Sequence, residues 1–402
     1  MRSKKISTEN KVLIALALIS ISIGLWGNFR QLWLQDNSMN VGAISNVLSI
    51  GTFVSVFGII LISKFISSSK MRSFITFALG IKIMTLLGLF FLNSSDNIFL
   101  IKALTIFDMI FETLIIIGIY PLITLIKIDD NLYSKRKLIE YLFKDLGILV
   151  GGIFIGKTIL GIAFSYNICL IISIIFLIFA FLVMTNIKII NYETKVNSKN
   201  KVNFINFIKK SKLHQVYIFY SLVSNVAMGT GLGLKMLIIT NYFNFSPSGA
   251  TNYLLIVGLI ADVLGILALK YFTPKNDYLT ITIKFGLRFL GYTIAFLSNN
   301  IIITIIAVTW SILISTSYEN ITDAPYINKV PKEHQLMVAN IKKIFGAIGE
   351  SVGIFFCGLM YNIGLRYIFG LSAFFMIFQI LIAYFLIYLR NKGKNIKEEM
   401  IA

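Results

Sequence analysis

Twelve apolar stretches, each about as long as a lipid bilayer is thick, follow one another along a chain of 402 residues. They fall at roughly 12–34, 41–63, 73–92, 98–126, 138–162, 168–187, 214–240, 250–269, 279–297, 301–325, 337–361 and 367–389. A helix needs about 20 apolar residues to cross the hydrocarbon core. No water is available there to satisfy peptide groups, so a spanning segment is a helix or part of a closed barrel. A barrel strand would read as about ten residues of alternating polarity. These stretches are continuous Ile, Leu and Phe, and they predict an all-α integral membrane protein with twelve transmembrane helices. Composition agrees: 57% of residues are hydrophobic and 14% charged, against about 25% charged in soluble proteins. The N-terminus, MRSKK ahead of an apolar run from Val12, has the outline of a secretory leader. The run is too long and no small-residue cleavage site follows, so it reads as a retained first span.

The net charge of +19 would suit a nucleic-acid binder, but its distribution argues otherwise. Lys and Arg number 4 in 1–11, 3 in 64–72, 4 in 127–137 and 7 in 188–212. A further 2 lie in 270–277, 2 in 326–334 and 4 in 390–397. The intervening polar gaps at 35–40, 93–97, 163–167, 241–249 and 298–300 contain none. Such alternation is the positive-inside pattern of a multi-pass membrane protein. It puts both termini and the long basic loop in the cytoplasm, and it removes nucleic acid as a partner. The Ile/Asn/Lys-rich composition is that of an AT-rich bacterial genome, which makes the bacterial plasma membrane the expected location.

The chain also repeats itself at half its length. Residues 43–59 match residues 250–266 at Ala43/Ala250, Leu48/Leu255, Gly51/Gly258, Val56/Val263, Gly58/Gly265 and Ile59/Ile266. Gly80-Ile81-Lys82 matches Gly286-Leu287-Arg288, and Gly151 and Gly156 match Gly353 and Gly358. Parallel repeats of this kind occur in membrane transporters. The expected organisation is a six-helix bundle over 1–187, a basic cytoplasmic linker over 188–213 and a second six-helix bundle over 214–402. Gly147, Gly151, Gly152 and Gly156 in the fifth span, and Gly346, Gly349, Gly353 and Gly358 in the eleventh, would let helix backbones approach closely.

No enzyme chemistry is visible. Cys169 and Cys357 sit in apolar runs of different halves and read as packing residues. His214 and His334 fall at span ends with no partner at ligand spacing, so neither a metal nor a cofactor is expected. There is no nucleophile–base pair, metal cluster or phosphate-cradling glycine loop.

Two six-helix halves with cytoplasmic termini and a basic central loop resemble the major facilitator superfamily over essentially the whole chain. The family's signature after the second span is Gly-x-x-x-Asp-Arg/Lys-x-Gly-x-Arg-Arg/Lys. The corresponding stretch here starts at Gly58, has Ser63-Lys64 in place of Asp-Arg/Lys and Ile66 in place of the second glycine, and ends at Arg72. Lys64, Lys70 and Arg72 keep its basic character as a gating loop. The fifth-span signature of the family's exporters holds a Gly-Pro, where Val150-Gly151-Gly152 stands here. Lys102 lies near the region of the family's fourth-span arginine. The resemblance implies two pseudo-symmetric bundles around a cavity lined by spans 1, 4, 7 and 10. It also implies alternating access and a monomer.

Against that expectation, the ionisable residues within the spans become candidate functional groups, because each is costly in lipid. They are Arg30, Lys82, Lys102, Lys157, Lys235, Lys284 and Arg288, with Asp108, Glu112, Asp262, Glu319, Asp323 and Glu350. Arg30 aligns with Lys235 through Gly24/Gly229 and Leu32/Leu237. Two cations converging on one cavity would clamp an anionic group, with Asn28, Gln31 and Trp26 beside them on the first span. The competing role for both cations is internal salt bridging with nearby acids. Asp108/Glu112 and Glu319/Asp323 each stand one helical turn apart. Carboxylates in a partly dry cavity can exchange protons during a cycle, so these four are the proton-coupling candidates. Lys82 and Arg288, on peripheral spans, are expected to pair or snorkel, and Trp33 to anchor at the interface.

The function these features predict is secondary transport of a small organic solute, coupled to protons and running as efflux by antiport. Organic-anion or lipid-like transport through Arg30/Lys235 is the alternative within that class. A transport-inactive sensor or scaffold is the alternative outside it.

Overall fold

A computed structural model of the chain describes residues 8–65, 70–92, 97–126, 130–155, 158–159, 162–163, 165–187, 212–271, 282–327 and 332–392. The helices in the first half are α1 (Thr8–Asp36), α2 (Val41–Phe65), α3 (Met71–Phe91), α4 (Ile98–Ile126), α5 (Asp130–Phe154) and α6 (Tyr166–Thr185). Those in the second half are α7 (Lys212–Leu232), α8 (Lys235–Asn241), α9 (Pro247–Tyr271), α10 (Leu287–Leu297), α11 (Ile301–Ile327), α12 (Lys332–Ile363) and α13 (Leu365–Lys392). A π-turn, Thr282–Gly286, leads directly into α10. Counting α7 with α8 and the π-turn with α10, the described residues form twelve helical segments, as the sequence predicts. Seven are long and apolar enough to cross a membrane on composition alone: α1, α2, α3, α6, α7 with α8, α12 and α13.

Three boundaries differ from the hydropathy reading. The fifth span was placed at 138–162, but α5 runs Asp130–Phe154. A helix satisfies its own backbone, so α5 extends through charged residues that a search for apolar runs skips. Beyond it, Thr158–Ile159 and Ile162–Ala163 form a two-stranded antiparallel hairpin, the β structure among the described residues. The seventh span is broken between α7 and α8 after a glycine at every second position, Gly229, Gly231 and Gly233. Glycine is the weakest helix former after proline.

Large apolar side chains face outward and charge faces inward. Phe99 is 84% exposed and Leu297 69%, whereas Arg30, Lys82 and Arg288 are buried. Lipid, not water, is the solvent that favours this arrangement.

The chain divides into two compact units, one of residues 1–194 with 236–255 and one of 195–235 with 256–402. Each has its own central helix. In the first unit α1 packs on α5 and α6, while α3 packs on α4 and α6. In the second, α7 packs on α12 and α13, and α10 packs on α11 and α13. Span for span, these are the same four pairings, so the internal repeat is a repeat of packing.

Glycine makes the central contacts. A side chain on Gly147 of α5 would strike the backbone of α1 at Ile21 and Gly24, and one on Gly353 of α12 would strike α7 at Val226 and Gly229. The structural counterpart of Gly353 is therefore Gly147. Gly151, which the sequence alignment paired with it, faces the Phe29 ring.

Candidate functional site: a buried ring of four charges

Arg30 and Trp26 lie one turn apart on α1, and Asp108 and Glu112 one turn apart on α4. Residues four apart share a helix face. Lys82 comes from α3, which packs on α4 and, with it, supplies the other cation. The Arg30 Nη2 lies 2.8 Å from Asp108 Oδ2 and 2.7 Å from Glu112 Oε2. The Lys82 Nζ lies 2.5 Å from Asp108 Oδ1 and 3.0 Å from Glu112 Oε2. Cation and anion thus alternate around a closed ring of zero net charge. The Trp26 indole N–H donates to Asp108 Oδ2 at 2.8 Å, adding a third donor to that carboxylate.

Burial is uneven around the ring. The Asp108 side chain is fully buried, Lys82 and Arg30 nearly so, and Glu112 is 18% exposed. Glu112 is therefore the least buried member of the ring. Bringing any one of these charges into lipid is costly, and the ring cancels that cost only while complete.

The ring revises several expectations. Arg30 is engaged by both acids of α4, which is the salt-bridging alternative for that residue. Lys235 belongs to the other compact unit, where it is half-buried at the start of α8. Lys82 is 1% exposed and bonded inward, so it pairs and does not snorkel. Trp26 is buried, makes an edge-on contact with Trp33 at 5.6 Å and serves Asp108. Trp33 is 2% exposed and donates to Asn167 Oδ1 at 2.9 Å, so it is a core residue and not an interface anchor. Asn28 is buried and turns back to its own helix at Gly24 O, at 3.5 Å. Gln31 is half-buried one residue beyond Arg30.

Of the gating-loop residues, Lys70 is exposed at the entrance to α3, and the Lys64 side chain lies outside the described residues. Arg72 donates to the carbonyls of Met184 and Thr185 at 3.2 and 2.5 Å, and Lys11 donates to Asn186 O at 3.0 Å. The two cations complete the C-terminus of α6, where orphan carbonyls and the helix dipole favour positive charge. Arg72 is thus a tie between α3 and α6.

In the second unit, Glu319 and Asp323 lie on α11, and Asp262 on α9, in stretches whose side chains are outside the described residues; Lys157 is outside them altogether. Lys284 is buried at the π-turn with its ammonium 5.2 Å from the centre of the Phe285 ring. Arg288 was expected to pair or snorkel. It is 2% exposed and makes no ion pair among the described residues. Cys169 and Cys357 are fully buried. No group of acid, His and Cys side chains suited to a metal occurs among the described residues.

No family model matches the sequence, and no curated protein does. Solved structures do match the fold over nearly the full length of both chains. The nucleoside transporter NupG superposes with a TM-score of 0.70 at 11% identity, covering 95% of this chain and 99% of that one. A bacterial homologue of the human lysosomal transporter Spinster, in its inward-facing and unoccupied conformation, gives 0.67 at 16% identity, covering 96% and 97%. The human organic anion transporter MFSD10 gives 0.64 at 10% identity, covering 94% and 98%. At such identities the likeness speaks for the fold. This chain is a multi-pass helical membrane protein that shares the fold of these solved transporter structures.

Proposed function

We propose that the protein is a secondary transporter that moves a small organic solute across a bacterial plasma membrane by alternating access, coupled to protons and running as efflux. The observation that carries the reading is the charge ring of Arg30, Lys82, Asp108 and Glu112. A buried ion pair is weak evidence for stability, since apolar residues of similar volume often do as well or better. Four such charges joining three helices in lipid therefore imply use. A proton delivered to Glu112, the one partly exposed member, would weaken two of the four ion pairs at once, those to Arg30 and to Lys82. Of the ion pairs between α4 and its neighbours α1 and α3, those of Asp108 alone would then keep full strength. Protonation thus changes how tightly the three helices are joined, which a proton-coupled cycle requires. Efflux is the direction favoured by the glycine-rich fifth span.

The test is proton movement in proteoliposomes carrying the purified protein and a pH-sensitive dye, as pools of organic solutes are added. The expected result is solute-dependent proton flux with the natural chain. In Glu112→Gln, solute exchange should continue while proton flux is lost. Silence with every pool would remove the transport reading. Undiminished proton flux in Glu112→Gln would remove Glu112 as the coupling group.

A further inference from the structure

Among its described residues, the second unit contains the counterpart of Lys82 without the counterparts of its acids. Gly286-Leu287-Arg288 aligns with Gly80-Ile81-Lys82. α10 packs on α11 as α3 packs on α4. Asp108 is the eleventh residue of α4, and the eleventh residue of α11 is Ser311. The Ser311 hydroxyl donates to the carbonyl of Arg288 at 3.4 Å, so the same place in the packing holds a neutral group. The acids of α11, Glu319 and Asp323, follow 8 and 12 residues later, about 12 and 18 Å farther along the helix.

Arg288 is buried, and its Nε and Nη2 make no hydrogen bond. These two N–H groups point the same way along one edge of the guanidinium, the edge that grips a carboxylate with two parallel bonds. One turn on, the Tyr292 hydroxyl is also buried. It lies near the Arg288 guanidinium and the Ser372 hydroxyl but meets neither at hydrogen-bond geometry. Ser372 donates its own proton to Ala227 O at 2.8 Å. Gly231 closes the other side: a side chain there would start 2.8 Å from both the Tyr292 and Ser372 oxygens. The Phe369 ring stacks on Tyr292 with centroids 6.4 Å apart. α7, α10 and α13 therefore converge on a buried guanidinium edge that has no carboxylate among the described residues, with a phenol hydroxyl beside it.

Buried donors left open are costly, and native proteins seldom keep them without a reason. We infer that Arg288 and Tyr292 form an oxyanion subsite that takes the carboxylate of the transported solute, so that the substrate is an organic acid. The inference rests on the transport reading above and gives it a substrate class. The bound carboxylate does for Arg288 what Asp108 and Glu112 do for Lys82: it supplies the missing negative charge and accepts the parallel pair of N–H groups.

The test is ligand binding to the purified full chain in nanodiscs, read by calorimetry and by melting temperature at fixed ionic strength. The probes are benzoate, octanoate and glutarate, with benzamide and inorganic phosphate as comparisons. At least one carboxylate should bind and raise the melting temperature, with benzamide and phosphate inert. Arg288→Lys keeps the charge but loses the fork, and its affinity should fall about tenfold or more, as expected for a lost charge-assisted bond. Tyr292→Phe should weaken binding with little effect on folding. Arg288→Met, without ligand, should melt at or above the natural chain, because a cation without a counter-charge is replaced by an apolar side chain of similar length. A merely structural arginine would lower it. Failure of all three carboxylates to bind, equal binding by phosphate, or undiminished affinity in Arg288→Lys and Tyr292→Phe would overturn the subsite. The readout needs no turnover. Binding without flux would reject transport and leave the subsite standing, and flux without carboxylate binding would do the reverse.

Discussion

Asp108 accepts from Lys82, Arg30 and Trp26 and is wholly buried, so it is the residue whose charge the first unit can least do without. Asp108→Asn keeps the shape and removes the charge, leaving two buried cations to share Glu112. Breaking a buried pair by removing one partner costs about 3–5 kcal/mol, and a loss of that order is expected here. Glu112→Gln should cost less, since Glu112 is less buried and Asp108 keeps its pairs to both cations. Thermal melts of the two variants in nanodiscs check the ordering. An Asp108→Asn protein melting with the natural chain would mean that the ring does not hold the unit together. The sequence shows half of this. The one-turn spacing of Asp108 and Glu112 marks a charged face on α4, and the cost of charge in lipid demands a partner. Which partner is a matter of distance between helices, and spacing along one helix carries no such information. Lys82 and Arg288 read alike in the sequence, each expected to pair or snorkel, because what distinguishes their surroundings lies on other helices.

Among the helices, the glycines divide into those that set a distance and those that do not. Gly24 lies against the backbone of α5 at Lys144 and Ile148, and Gly229 against that of α12 at Glu350 and Gly353. Gly258, in the middle of α9, has nothing within 4 Å of where a side chain would begin. Gly24→Leu must push α1 off α5 and should sharply lower the melting temperature and the yield of folded protein. Gly258→Ala fills empty space and replaces the poorer helix former, a gain of up to about 1 kcal/mol. A Gly24→Leu protein as stable as the natural chain would show that the helices are not in backbone contact. The repeat was legible because these contacts recur in both halves. Its register was not, because helices diverge outside the contact and a match of letters can slip by a turn, as Gly151 did relative to Gly147. The break between α7 and α8 escaped for a related reason: a hydropathy scan averages over Gly229, Gly231 and Gly233 and sees one uninterrupted span.

At the scale of the molecule, the alternation of charge along the sequence sets the expected orientation in the membrane. Arg72 and Lys11 sit together at the C-terminus of α6, which places residues from two basic segments at one end of the first unit. By the positive-inside rule, that end is expected on the cytoplasmic side. The 188–213 linker should then lie inside, and the polar turn between α10 and α11 outside. Cysteine labelling tests this with little background, because Cys169 and Cys357 are both fully buried. Ser198→Cys in the linker should react in intact cells with a membrane-permeant maleimide only. Asn299→Cys, at an exposed position in the α10–α11 turn, should react with an impermeant one added from outside. The reverse pattern would invert the whole molecule in the membrane. Proton-driven antiport would still run as efflux, because the proton gradient and not the orientation sets its direction, but every helix carrying the ring and Arg288 would present its ends to the opposite compartments.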